Sequence, residues 1–186
     1  LKSKILMTQG NHDAGYGTGD YDGDGDNDTF AYEFTPAEMF ERVYRKAGMT
    51  GNAVYDASGT AFYVDDIANK VRYILLNTQL NFDGNIGYDS YETVDGMAKY
   101  PSMRKFRYTQ CQYDFLTNDA LVTVPSDDWK VVMGSHIPIN QSGEMPEYPV
   151  MVGVLNAYQN KTTYTGEYAG MAEGSGGGTT ANFTNL

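Results

Sequence analysis

The sequence predicts a mixed α/β fold of the layered kind, and three observations predict it. Apolar runs of strand length, within Lys4–Thr8, Ala61–Asp66, Val71–Asn77 and Trp129–Gly134, each give way abruptly to polar residues, which is the pattern of short buried strands. Other stretches carry apolar residues at helical spacing behind capping patterns, which marks amphipathic helices. The two kinds alternate along the chain, and alternating strands and helices pack as sheets covered by helices. With 186 residues, 41% of them hydrophobic, the chain has the length and apolar content of a single domain, residues 1–186, with a buried core.

The first strand, Lys4 to Thr8, ends at Gln9-Gly10-Asn11-His12-Asp13, so ligand-type side chains stand just past a strand's C-terminal end, where layered folds build sites. Residues 14–34 then form an acidic loop insertion rich in Gly, Asp and Tyr. Thr35-Pro36-Ala37-Glu38 reads as a helix start, with Thr35 as N-cap, Pro36 in the first turn and Glu38 closing a capping box. Met39, Phe40, Val43, Tyr44 and Ala47 continue it, and Gly48 is a stop signal. Ala61–Asp66 and Val71–Asn77, with Asn69-Lys70 between them, predict a hairpin.

Residues 81–108 make a long loop rich in Gly, Asp and Tyr; connections of that length are usually functional or partly disordered, and this one could wall a substrate cleft. Its tyrosines, Tyr88, Tyr91 and Tyr100, fit a role in covering the core better than one in stacking on a substrate. Thr109 and Gln112 form a second capping-box pattern, opening a helix that runs through Phe115 and Leu116 to about Leu121. Trp129–Gly134 is another buried strand, delivering Ser135-His136-Ile137-Pro138 at its end. Val150, Met151, Val154, Leu155 and Tyr158 keep a helical period after Pro149. Residues 162–186 turn to Gly, Tyr and Thr, with Gly174-Ser175-Gly176-Gly177-Gly178 as a flexible segment. No internal repeat is present.

A net charge of −11 and a pI near 4.4 exclude a surface that binds nucleic acid by neutralising phosphates. An anionic substrate would need metal ions as attractors. No apolar run of membrane-spanning length occurs, and Leu1 opens neither with an initiator Met nor with a signal-peptide layout, so the chain is expected to begin inside a longer protein. Cys111 is the single cysteine, which excludes an internal disulfide framework and a thiolate zinc cluster. Its helical position without a basic neighbour in sequence reads as a core thiol rather than a nucleophile. The Asn-x-Ser/Thr triplets at Asn27, Asn140, Asn160 and Asn182 are taken as chance occurrences.

Histidine is the usual imidazole ligand and proton shuttle near neutral pH, and the chain has only two. Both lie past predicted strands, in Gly10-Asn11-His12-Asp13 and in Ser135-His136-Ile137-Pro138. In these blocks the chain resembles the calcineurin-like metallophosphoesterases. That family's signature runs Asp-x-His, Gly-Asp-x-x-Asp, Gly-Asn-His-Asp/Glu, an isolated strand-end His and a final Gly-His-x-His. The Gly-Asn-His-Asp block and the isolated His appear here in order. Phe62-Tyr63-Val64 through Ile74-Leu75-Leu76-Asn77-Thr78 resembles the family's central hairpin, and Thr109 to Leu116 resembles the helix before its strand-end histidine. The likeness covers Ile5 to about Pro138. The other blocks are missing from these residues.

The resemblance implies a partial calcineurin-like four-layer sandwich, two β-sheets flanked by helices, and hydrolysis of phosphate mono- or diesters of small molecules through two divalent ions. Neutral imidazole, carboxylate and amide oxygen suit Mn, Fe or Zn without deciding between them. It implies that Asn11 and His136 are metal ligands and that His12 is the general acid for the leaving alkoxide. It implies that Asp13 orients the His12 imidazole. Asn77 stands where the family often has Asp and receives no catalytic role. The missing parts of the parent chain would supply the remaining ligands.

Asp20-Tyr21-Asp22-Gly23-Asp24-Gly25-Asp26-Asn27-Asp28 alternates carboxylates around Gly25 like a calcium loop, in which Asp20, Asp22, Asp24 and Asp28 would supply oxygens. Ala31 stands where an EF-hand has its bidentate Glu, so the likeness is to short extracellular calcium loops. The alternative for this stretch is a solvated acidic insertion. For the whole chain the competing reading is a non-catalytic, calcium-stabilised binding or structural module of an extracellular or phage-like assembly, and the acidic composition leans towards secretion.

Overall fold

The computed structural model describes residues 6–8, 40–46, 52–57, 59–78, 92–94, 97–99, 108–139, 148–169 and 176–186. They form a mixed α/β structure. Strands β1 (Ala53–Tyr55), β2 (Phe62–Asp66), β3 (Val71–Leu76) and β6 (Lys130–Ser135) make a four-stranded sheet in the order β1-β2-β3-β6. Two separate hairpins pair β4 (Glu92–Val94) with β5 (Met97–Lys99), and β7 (Thr163–Ala169) with β8 (Gly176–Asn182). Helix α1 (Gln110–Phe115) continues without a break into a π-helical turn over Leu116–Ala120, and α2 spans Tyr148–Asn160.

The predicted hairpin is present. β2 and β3 are antiparallel with Asp66 opposite Val71, and the Asp66 carboxylate accepts from the backbone and side-chain amides of Asn69 at 3.3 and 2.7 Å. Lys70 closes the loop in the left-handed region, φ 52°. The β1–β2 turn is organised from inside by Asp56, which is buried. Its Oδ1 accepts from the amides of Thr60 and Ala61, each at 3.1 Å. Gly59 in that turn has φ +75°, a conformation that carries little steric cost only for glycine.

Alternation along the strands sorts side chains onto two faces. Tyr63, Ile74, Leu76, Val131 and Met133 join Tyr113, Phe115, Leu116 and Leu121 of the α1 region and Val150, Met151 and Val154 of α2 in the main core. Phe62 and Val64 on the opposite face pack with Tyr44, Phe40, Val43, Leu6 and Leu75. β2 is thus covered on both sides, and burying a side chain such as Phe62, Ile74 or Leu76 contributes about 1.5–3 kcal/mol. The β7–β8 hairpin packs on α2 and α1, sending Thr179, Ala181 and Phe183 inward. Gly153 of α2 lies directly under the Tyr164 ring of β7, where a Cβ would stand 2.2 Å from a ring carbon.

Several expectations are corrected. Leu6–Thr8 is not part of a strand: Leu6 packs under the sheet, and Thr8 Oγ1 donates to the Leu76 carbonyl at 2.7 Å. Of the predicted helix after Thr35, the described part is a single π-turn, Phe40–Tyr44, closed by Arg45 N donating to Phe40 O at 2.9 Å. β6 is not buried on both faces. Lys130, Val132 and Gly134 face outward and Val132 is 47% exposed, because the cluster on that face around Tyr44 and Phe62 reaches Leu75 of β3 but includes no β6 side chain. The capping box at Thr109 does not form, since Thr109 occupies the N-cap without a side-chain cap bond. The long loop contains the β4–β5 hairpin, and Gly176–Gly178, taken as flexible, belong to β8 opposite Ala169, Tyr168 and Glu167.

Candidate functional site

β3 and β6 are parallel neighbours with Leu76 opposite Ser135, so both strands end at one edge of the sheet. Asn77 and Thr78 leave β3 there and are fully buried. His136 leaves β6 there and is exposed. The reversal from buried to exposed follows from the local chain. Ser135 Oγ donates to the Ile137 carbonyl at 2.6 Å, closing a tight turn around His136, and Ile137 is anchored in the main core. The Tyr108 hydroxyl, itself buried, lies 3.4 Å from Ser135 Oγ.

Gln112 braces the same edge. It is fully buried on α1, where its Oε1 accepts from the Asn77 amide at 3.1 Å and its Nε2 donates to the Asn77 carbonyl at 2.8 Å. The side-chain amide therefore pairs with the buried Asn77 backbone as a neighbouring strand would. The same Nε2 also lies 3.5 Å from Thr109 Oγ1, so the glutamine meets the Thr109 side chain rather than closing a capping box on its backbone amide. A Gln among the inward-facing apolar residues Tyr113, Phe115 and Leu116 was the sequence signal for such a role.

Nearby on α1, Cys111 is partly buried with Thr109 Oγ1 3.4 Å from its sulfur. Burial pushes its thiol pKa up, against the opposing pull of the Thr109 contact, so it stays protonated and unreactive at neutral pH. The expected core thiol is thus half-buried and belongs to neither core cluster.

Of the sequence-predicted site residues, His136 is the one that the structure describes. Asn11, His12 and Asp13 lie outside the described residues, as do Asp20, Asp22, Asp24 and Asp28 of the acidic stretch. Thr8, four residues before His12 in the sequence, is hydrogen-bonded at the end of β3, at the edge where β6 delivers His136. Among the described residues no group of three or more His, Cys, Asp or Glu is placed to hold a metal ion. An exposed imidazole such as His136 suits one first-row divalent ion as a single ligand, and further ligands would have to come from other residues. The two grooves described lie elsewhere: one of about 490 Å³ beside Leu6, Val64 and Tyr73, and one of about 680 Å³ beside Trp129 and Tyr158.

Compared with family models, with curated proteins and with solved structures, the chain matches none.

Proposed function

We propose that the chain is the central part of a calcineurin-like metallophosphoesterase, a four-layer fold that hydrolyses phosphate mono- or diesters at a dinuclear centre of Mn, Fe or Zn. The observation that carries the reading is convergence at one edge. The segment leading to Asn11, His12 and Asp13 is tied by Thr8 to the end of β3, and His136 follows the end of β6 in register beside it.

In this reading Asn11 offers an amide oxygen and His136 an imidazole nitrogen to the metals, and His12 donates a proton to the departing alkoxide. Asp13 holds the His12 ring in the donor tautomer. Two divalent ions, when bound, supply an activated water and charge stabilisation for in-line displacement at phosphorus. The −11 charge of the chain gives them a further task, because without them a phosphate ester is repelled. The family's remaining ligand blocks are not among these residues, so the parent chain must supply them.

The test is hydrolysis of bis(p-nitrophenyl) phosphate and p-nitrophenyl phosphate by the parent protein, with and without Mn²⁺. The expected result is metal-dependent turnover that falls by about 10²–10⁴ in His12→Ala and loses metal affinity in His136→Ala. A folded parent without turnover in Mn²⁺, Fe²⁺ or Zn²⁺ would overturn the assignment and leave the calcium-stabilised binding module as the better account.

A further inference from the structure

The larger groove stands apart from this edge. It lies where the chain enters β6, beside Trp129, whereas His136 follows the far end of the strand. Six residues of strand separate the two by about 20 Å. Its volume, about 680 Å³, falls within the range of small-molecule sites, about 300–1,000 Å³.

The lining limits what the groove can take. Two aromatic residues, Trp129 and Tyr158, are half-buried there, and the Tyr158 ring is held edge-on by Phe183 with centroids 5.4 Å apart. The charged side chains are Asp127 and Lys161, and the Lys161 ammonium donates to Asp127 Oδ1 at 2.6 Å. The pair cancels its own charge, so neither an anion nor a cation finds an unmatched counter-charge in the lining. An anion is further disfavoured by the charge of the whole chain. The rim mixes a donor, Lys161, an acceptor, Asp127, and two groups that do both, Ser126 and Gln159. Lys161 is bonded to Asp127, and Ser126 Oγ donates to Asp128 Oδ1 at 2.6 Å, so the rim is polar and its remaining hydrogen-bonding capacity faces the groove mouth.

We propose that this groove is a binding site for an uncharged oligosaccharide, one pyranose ring laying its C–H face on Trp129 and Tyr158 while its hydroxyls bond the polar rim. A pyranose unites an apolar face with a circumference of groups that both donate and accept, which is the combination that this lining offers. The proposal does not rest on the phosphoesterase reading, because it uses no metal and no residue of the His136 edge.

Trp129 is the only tryptophan of the chain, so its fluorescence reports on the groove directly. Maltotriose, cellotriose and the trimer of N-acetylglucosamine are titrated separately into the purified protein while Trp129 emission is followed. The expected result is a saturable change with at least one sugar, its midpoint raised about tenfold in Tyr158→Ala and to a lesser degree in Gln159→Ala, whose side chain is exposed and whose loss leaves the core intact. Circular dichroism checks that both variants fold; where Tyr158→Ala does not, the Gln159→Ala shift decides. No saturable change with any of the three sugars overturns the proposal. So does a change that both variants leave unaltered, or a response to indole alone.

Discussion

Arg72 is the second residue of β3 and its side chain is 2% exposed, and its removal is the most informative perturbation of the fold. Its Nε and Nη2 donate to the two carboxylate oxygens of Asp65, each at 2.7 Å, and Nη1 donates to Ala120 O and Thr123 Oγ1, each at 2.8 Å. The guanidinium lies 3.8 Å from the centre of the Tyr63 ring. Burial works against its charge, but the Asp65 bond and charge prevail and hold its pKa above the ordinary value. Arg72→Ala strips all of these partners at once. Removing one member of a buried pair costs about 3–5 kcal/mol, and the orphaned Ala120 carbonyl adds about 1–3 kcal/mol when water cannot reach it. Asp65 keeps 25% side-chain exposure, so water recovers part of its solvation, and the expected loss is about 3–4 kcal/mol. In a chain of this size that lowers Tm by about 10 °C. Arg72→Lys keeps the charge but not the fork, and should lose about half as much. The assay is urea unfolding of wild type, both variants, Asp65→Ala and the Arg72→Ala/Asp65→Ala double mutant. A loss below about 1 kcal/mol for Arg72→Ala, or a coupling to Asp65 no larger than the 0.2–1 kcal/mol of an exposed pair, would refute this account.

Three further outcomes follow from the same structure. Gln112→Leu should destabilise by about 1–3 kcal/mol, because it removes two hydrogen bonds to the buried backbone of Asn77; unchanged unfolding midpoints would show that these bonds do not hold the chain after β3. Gly153→Ala should destabilise strongly by driving a methyl into the Tyr164 ring, and Tyr164→Ala should recover most of the loss in the double mutant, read as a thermal-melt cycle; additive losses would place the clash elsewhere. The Asp128 carboxyl is held below the ordinary carboxylate range by hydrogen bonds from Lys70 and then Ser126. Its contribution to stability is therefore present above the unfolded carboxylate pKa and is lost as pH falls through the lower folded value. Lys70→Gln should move the Asp128 titration upward in carboxyl NMR while leaving stability at neutral pH nearly unchanged, and an unmoved titration would show that Lys70 does not set it.

How far the sequence foretold this structure can be judged element by element. β2 and β3 were plain because aromatic and β-branched residues flank a turn that Asp66 and Asn69 close locally. β6 was plain as a strand but not as an edge, because Val131-Val132-Met133 is continuously apolar and the outward exposure of Val132 depends on which neighbour is paired. The β4–β5 hairpin carried a signal that composition masked: Asp95-Gly96, a strong two-residue hairpin pair, stands between Val94 and Met97. β8 was hidden because Gly176–Gly178 has no side chains to show a period, and its partner strand decides the conformation. At the candidate site, the position of His136 at a strand end was legible. Gln112 was not, because a capping pattern and a long-range brace are written with the same residues. The roles given to Asn11, His12 and Asp13 were read from a motif, and their residues lie outside those described.

The parallel pairing of β3 with β6 also dictates an order of assembly. β1, β2 and β3 are joined by tight turns and can zip together from neighbouring residues, whereas Val71 meets Lys130 across 130 − 71 = 59 positions. Closing so long a loop costs entropy before any contact repays it, so the meander forms early and β6 docks late. On a ribosome, β6 and His136 emerge well after the other three strands. The edge that brings His136 beside the end of β3 is therefore among the last parts of the main sheet to exist, and a newly made chain would complete it only once the sheet beneath it had been built.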